Sequence, residues 1–399
     1  MACGLAQSSG ALIGARLVQG LGAAMMTPAA LSILTTNFNE GSDRLKALGA
    51  WGALAGLSSG VGVFLGGVLS GGPGWRWVFF VNPPIAVLIL LATFRLIGND
   101  RRRAKLAHFD TGGAILVTGA MLLAIYALVR APEVGWNTTR TIVELGGVVI
   151  LMFLFLAKER RHPNPLVPLS IFRIKGLAAA DVTQIIAMAG FYSMFFFVTL
   201  YMQNVLHFSA TRAGVSYIPV TVGVAISAGV CSKLFVRTGT RPIMVVGALL
   251  AAGGVYWLSR IPVNGSYLTN LLPGLMIMSI GLGAVFVGVQ TAANAGVPAD
   301  KAGLAAALIN ASFQLGAALG LAIFSAVATS RTTHLLAAHS APLEALTSGF
   351  HLALLVSSVF LVAAAVIALR ATNTRGEPIP SVEPEFESEM NPVPIVEVG

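Results

Sequence analysis

The chain has 399 residues, of which 56% are hydrophobic and only 10% charged, and its mean hydropathy is +0.81. A soluble globular domain carries roughly 25% charged residues, so this composition excludes an aqueous fold and leaves a protein built into the bilayer. The formal charge of +9 does not point to nucleic acid, because the basic residues lie in short loops between apolar runs, where they report topology.

A transmembrane helix needs about 20 predominantly apolar residues. Taken in chain order, such runs lie at Ala11–Phe38, Ala47–Ser70, Val78–Ile97, Thr111–Val129, Thr141–Ala157, Gly176–Val205, Gly214–Phe235, Ile243–Leu258, Leu268–Ala293, Ala302–Thr329 and Phe350–Leu369. The alternating polarity of a membrane barrel, in segments of about 10 residues, does not occur, so the fold class is an all-α polytopic membrane protein with about eleven transmembrane helices. Residues 1–10 carry neither a basic leader nor a cleavage site. After the last run the chain turns rich in Pro and Glu, and residues 372–399 read as a disordered acidic tail. Cys3 and Cys231 are too few for a disulfide framework or a metal cluster.

Assigning the loops alternately to two sides places 18 of the 25 Lys and Arg residues on one side, from Arg44 to Arg375. The other side holds Arg76, Arg130, Arg140, Arg212, Arg260 and Arg331, while Arg16 lies inside a span. The positive-inside bias makes the first side cytoplasmic and puts the C-terminus there. Eleven spans then put the N-terminus outside without a signal sequence, and that parity suggests a chain missing its beginning.

Arg16 sits about one turn inside the first apolar run, followed on the same helix face by Gln19, Gly20 and Ala23. An arginine at the centre of a span costs about 2.5–3.5 kcal/mol on insertion scales, so it either snorkels to the interface or is compensated in a polar interior. The second run places Gly52, Gly56 and Gly60 four residues apart and continues with Gly62, Gly66 and Gly67. Small residues at that spacing let helix backbones approach closely, which is common in membranes and by itself means only packing. Next comes Trp75-Arg76-Trp77-Val78-Phe79-Phe80-Val81-Asn82-Pro83-Pro84.

In this order, Arg16-x-x-Gln19-Gly20, the glycine-rich span and the Trp75–Pro84 segment resemble the major facilitator superfamily, and more closely its fourteen-span drug:proton antiporters of the EmrB/QacA type. Gly62-Val63-Phe64-Leu65-Gly66-Gly67 is similar to the fifth-span antiporter motif of that group, with Val63 in place of its proline. The substitution restores a backbone donor and allows a straighter helix. Further matches are Phe109-Asp110-x-x-Gly113, Pro165 through Arg173, Leu200-Tyr201-Met202-Gln203, Ala213-Gly214 through Pro219, Arg237-x-Gly239-x-Arg241-Pro242, and Ala302 through Gly320. The resemblance implies a remnant of the N-terminal bundle in 1–98, two linker helices with their loops in 99–175 and a C-terminal six-helix bundle in 176–371. It also implies that the family's first two spans and most of its third, with the first-span proton-coupling carboxylate, have no counterpart here.

Cavities of facilitator folds lie between corresponding helices of the two halves. Asp181, Gln184, Met188, Tyr192 and Phe195 follow one another at helical spacing, forming a polar-to-aromatic face suited to a flat apolar cation. The alternative is that Asp181 reaches interfacial water and the rest packs. Glu144 and Asp181 are the carboxylates within runs and thus the proton-carrier candidates, although Glu144 lies near the outer end of a linker span and suits a surface role. Gln290 with Asn294, and Asn310 with Gln314, are polar pairs one turn apart that serve a cavity or interhelical hydrogen bonding equally. The basic clusters at 101–105 and 158–161 set topology, with anionic-lipid contact a smaller addition.

No nucleotide-cradling loop, zinc-protease motif or cysteine cluster occurs in the sequence, so neither an enzyme nor a cofactor is expected. The expected function is proton-coupled efflux of hydrophobic, drug-like compounds across a bacterial inner membrane, with protons, a small substrate and the bilayer as partners. Arg16, Gln19 and Asp181 are the coupling candidates, and Gln184, Met188, Tyr192 and Gln290 the cavity candidates. Two readings stay open: a non-transporting or partner-dependent membrane subunit, and a facilitator importing another solute. Any envelope-spanning efflux partner is left unidentified.

Overall fold

A computed structural model describes residues 1–37, 58, 61–62, 64–96, 110–174, 176–295, 297 and 302–375. Among these the regular structure is helical, without a strand. The main helices are α1 (Ser9–Asn37), α2 (Asn82–Leu96), α3 (Thr111–Val134), α4 (Thr139–Glu159), α5 (Leu177–Asn204), α6 (Ile218–Thr238), α7 (Thr240–Leu258), α8 (Leu272–Asn294), α9 (Ala302–Ala337) and α10 (Pro342–Ala368). Nine helices among the described residues are long and apolar enough to cross a membrane, from Trp77–Leu96 to Pro342–Ala368. α1 covers the first predicted run, and most of the second lies outside the described residues.

Local chemistry sets the ends of these helices. The Asp110 side chain caps α3 by accepting the Gly113 N–H at 2.9 Å, and Thr138 caps α4 through the Thr141 N–H, each satisfying a donor the helix leaves unpaired. Prolines in the first turns of α6, α8 and α10 occupy the place where a missing N–H costs nothing. Gly176 before α5 and Gly239 between α6 and α7 both have φ of +84°, a conformation that glycine adopts without a Cβ penalty.

α5 to α10 form one bundle. α5 packs on α8, α9 and α10; α7 packs on α8 and α10, α6 on α8, and α9 on α10. The core is made of large apolar side chains, among them Phe191, Phe197, Met244, Met278 and Phe324. Small residues bring the backbones together: a Cβ on Gly254 of α7 would meet the Gly274 carbonyl of α8 at 2.6 Å. Ser357 of α10 donates to the Gly190 carbonyl of α5 at 2.9 Å. The α3–α4 hairpin docks onto α9 through α3, whereas α2 has no buried residue.

Past α10 the chain is tied back onto the bundle. Thr240 Oγ1 donates to the Thr372 carbonyl at 2.9 Å, Asn373 Oδ1 accepts the Arg241 N–H at 3.0 Å, and Arg241 Nε donates to the Ala371 carbonyl at 3.0 Å. Residues 371–374 thus clasp the α6–α7 turn.

Candidate functional site

α5 is apolar on every side and buried along most of its length, which makes a polar residue on it expensive unless it is paired. Thr183 in its first turns is paired with the Ala179 carbonyl, but two polar residues there are not fully paired. Asp181 is 6% exposed and Gln184 1%. Asp181 Oδ1 accepts a hydrogen bond from Ser312 Oγ of α9 at 3.3 Å. Asp181 Oδ2 and both polar atoms of the Gln184 amide are buried without a hydrogen-bond partner. Each unpaired buried group costs about 1–3 kcal/mol, so the pair does not stabilise the bundle; it presents three unused polar atoms one helical turn apart.

The approach of α9 creates this enclosure. A Cβ on Gly316 would run into the Ile185 carbonyl, and one on Gly320 into the Ala189 backbone. The two helices therefore touch backbone to backbone just beyond Asp181 and Gln184, and Ser312 lies one turn before Gly316. Met188, 2% exposed, continues the stripe inside the bundle. Tyr192 leaves it: its ring is 47% exposed and meets Phe313 edge-on at 5.7 Å. Phe195 packs against Tyr217 at 5.1 Å. The predicted face thus divides into a buried polar start, an exposed Tyr192 and a half-buried Phe195 packed on the core, and Gln290 is half-buried on α8. The Asn294 side chain lies outside the described residues.

Arg16 and Gln19 sit together elsewhere. Arg16 Nη1 donates to Gln19 Oε1 at 2.9 Å on an exposed face of α1, and its guanidinium lies 5.7 Å from the Phe79 ring centroid. The Cys3 thiol also reaches Gln19 Oε1, at 3.5 Å. Arg76 donates to the Ala6 carbonyl at 3.2 Å while stacking on Trp75. The Trp75–Phe80 segment and the start of the chain therefore form one small cluster, and its arginines, Arg16 and Arg76, make their contacts there and not with Asp181.

In the glycine series, Gly52, Gly56, Gly60 and Val63 lie outside the described residues. Among the described residues nothing lies within 4 Å of a Cβ on Gly62 or Gly66, whereas a Cβ on Gly67 would sit 2.9 Å from Gly214 Cα and 3.0 Å from the Ala210 carbonyl. Thr211 Oγ1 donates to the Gly67 carbonyl at 3.2 Å. One glycine of the motif thus makes the contact between its helix and the short helix Ala210–Val215 that leads into α6.

Two further buried carboxylates escaped the sequence reading as working groups. Asp110 pairs with Lys158 Nζ at 2.7 Å, with His162 Nε2 at 4.0 Å. The hydrogen bond from Lys158, then that from the Gly113 N–H, hold its carboxyl below the usual carboxylate range. Glu159 is 3% exposed; Oε1 accepts the Val167 N–H at 3.1 Å and Oε2 has no partner. Its place in the run Lys158-Glu159-Arg160-Arg161 concealed it among basic neighbours. Glu144 instead joins a network at the helix surface, 2.9 Å from Arg140 Nε, with Arg140 and Arg130 both bonded to the Tyr126 hydroxyl. No metal-binding group of His, Cys, Asp and Glu occurs among the described residues.

A bundle of spanning helices with a buried, incompletely paired polar site defines a polytopic α-helical membrane protein. The chain belongs to the Major Facilitator Superfamily, whose sequence signature matches residues 1–321. It is 33% identical over 381 residues to the puromycin resistance protein pur8 of Streptomyces alboniger, covering 94% of this chain and 75% of that protein. It is 33% identical to the tetracenomycin C resistance and export protein of Streptomyces glaucescens, over 83% of this chain and 61% of the relative. It is 32% identical to the multidrug resistance protein Stp of Mycobacterium tuberculosis, over 82% and 60%. The chain thus spans between 60% and 75% of the length of these relatives.

Proposed function

We propose that this chain exports hydrophobic, drug-like compounds in exchange for protons by alternating access, as a member of the fourteen-span EmrB/QacA-type group. The observation that carries the reading is the buried Asp181–Gln184 pair with three unpartnered polar atoms. A proton on Asp181 Oδ2 removes a charge that a dry site solvates poorly, and a cationic substrate bound beside Gln184 supplies a competing counter-charge. Proton and substrate then exclude each other at one carboxylate, which is the basis of exchange. The Gly67–Gly214 contact holds one end of the transporter shut, and its opening exchanges access. The names of the resistance and export relatives support the substrate class. The arginine and lysine distribution supports a cytoplasmic C-terminus in a bacterial inner membrane.

The test is dye export from proteoliposomes under an imposed pH gradient, using ethidium as the substrate. The intact chain exports dye as the gradient collapses, and Asp181→Asn exports none. Gradient-independent export by the intact chain contradicts the exchange reading. A second reading, a subunit that works only with a partner, is favoured by the absence of buried residues on α2 among those described. It predicts no export by this chain alone and recovery when the partner is co-reconstituted.

A further inference from the structure

At the end of the bundle where α7 stops and α10 starts, α9 runs on well past the predicted end of its span, to Ala337. With 36 residues it is about 54 Å long at 1.5 Å per residue, against a hydrocarbon core of about 30 Å. The extension carries Arg331 up beside the start of α10, opposite Arg260 at the end of α7. Between them lies a cavity of about 310 Å³.

Both arginines face this cavity, and neither has an ion-pair partner among the described residues. Arg260 stacks over the Tyr256 ring at 4.9 Å and bonds its hydroxyl. Arg331 Nε donates to Ser348 Oγ at 3.2 Å. Each guanidinium is oriented by a neutral group and keeps spare N–H donors, the arrangement that suits a phosphate oxyanion. Glu344, exposed one turn before Ser348 on α10, is the nearest acidic residue along that helix and forms no salt bridge among the described residues.

Below the arginines the lining becomes apolar at Leu352 and Leu355. Leu355, Val359, Val362 and Val366 are then exposed in succession along α10. Their 4-3-4 spacing makes one continuous outward stripe, and the eleven steps from Leu355 to Val366 rise about 17 Å. One leaflet of the hydrocarbon core is about 15 Å deep. Tyr256 lines the cavity, and with Trp257 beside it at the end of α7 it makes an interfacial aromatic pair, 42% and 49% exposed.

We infer that this cavity binds the phosphate of a membrane phospholipid, with an acyl chain lying along the Leu355–Val366 stripe. The two arginines alone would take any phosphate; the apolar stripe, one leaflet long, selects the lipid. The site lies on the α7–α9–α10 surface and is separate from Asp181.

The experiment is native mass spectrometry of the 399-residue chain released from nanodiscs containing phosphatidylglycerol, with dioleoylglycerol and inorganic phosphate as the comparison probes. Phosphatidylglycerol stays bound, dioleoylglycerol does not, and inorganic phosphate at the same concentration fails to displace the lipid. Arg260→Gln with Arg331→Gln reduces lipid retention at least about tenfold, the scale of a lost charge-assisted contact, while Arg130→Gln, outside the cavity, retains it. Should the double variant not fold, Arg331→Gln alone carries the same expectation. Undiminished retention in a folded variant overturns the site. Equal retention of dioleoylglycerol overturns the phosphate, and displacement by inorganic phosphate overturns the lipid.

Discussion

The sharpest structural prediction concerns Gly67→Val. A Cβ at this position would meet Gly214 Cα at 2.9 Å and the Ala210 carbonyl at 3.0 Å; both are backbone atoms that no rotamer change can move. Overpacking of this kind costs about 1–3 kcal/mol. If the contact exists in only one access state, the whole cost falls on that state and shifts the equilibrium about 5–150-fold toward the open form. Spin labels at Ser70→Cys and Asn204→Cys, in a background carrying Cys3→Ser and Cys231→Ser, report the separation by pulsed electron resonance. The longer-distance population rises in Gly67→Val. Gly66→Val, at a position with no described residue within 4 Å, leaves the distribution unchanged. Identical distributions in both variants, with the protein still folded, would refute the reasoning.

Gln184→Leu replaces an unpaired buried amide with an apolar side chain of similar size and raises stability by about 1–2 kcal/mol, while dye export falls; thermal unfolding in detergent and the export assay read the two effects. Asp110 is held below the ordinary carboxylate value of about 3.9. Its contribution to stability is therefore present above about pH 4 and is lost as pH falls through its folded value. Asp110→Asn removes that dependence, so unfolding profiles of the two proteins converge in acid and separate above it. Asn373→Ala removes the acceptor of the Arg241 N–H and costs about 1 kcal/mol, seen as a lower unfolding midpoint without loss of substrate binding.

Hydropathy located the nine spanning helices among the described residues well because length and apolar content decide them. Their ends were harder to read. α9 continues through Ser330, Arg331, Thr332 and Thr333 to Ala337, since polar residues past a bilayer need not end a helix. α10 begins at Pro342, ahead of the predicted Phe350, and its start signals were the proline and Glu344 in the first turn. Asp181 stood out as a carboxylate in an apolar run, but its burial and its bond to Ser312 depend on a residue 131 positions away. Periodicity along one helix cannot supply such a partner. The glycine motif was equally visible, yet which glycine touches a neighbour depends on where another helix crosses. Gly66 and Gly67 are adjacent in sequence and differ completely in surroundings. The clasp of residues 371–374 on Thr240 and Arg241 joins segments that a linear reading assigns to a bundle edge and a tail.

Proton-coupled export through Asp181 is tested most directly by simultaneous recording of internal pH and dye release from proteoliposomes. The intact chain releases dye in step with proton entry. Asp181→Asn, which fixes the neutral form, is expected to lose that coupling and to bind a cationic dye more weakly, while Arg16→Ala, in the separate cluster of Gln19 and Phe79, leaves the exchange site itself unchanged. Wild-type coupled export by Asp181→Asn would contradict the assignment.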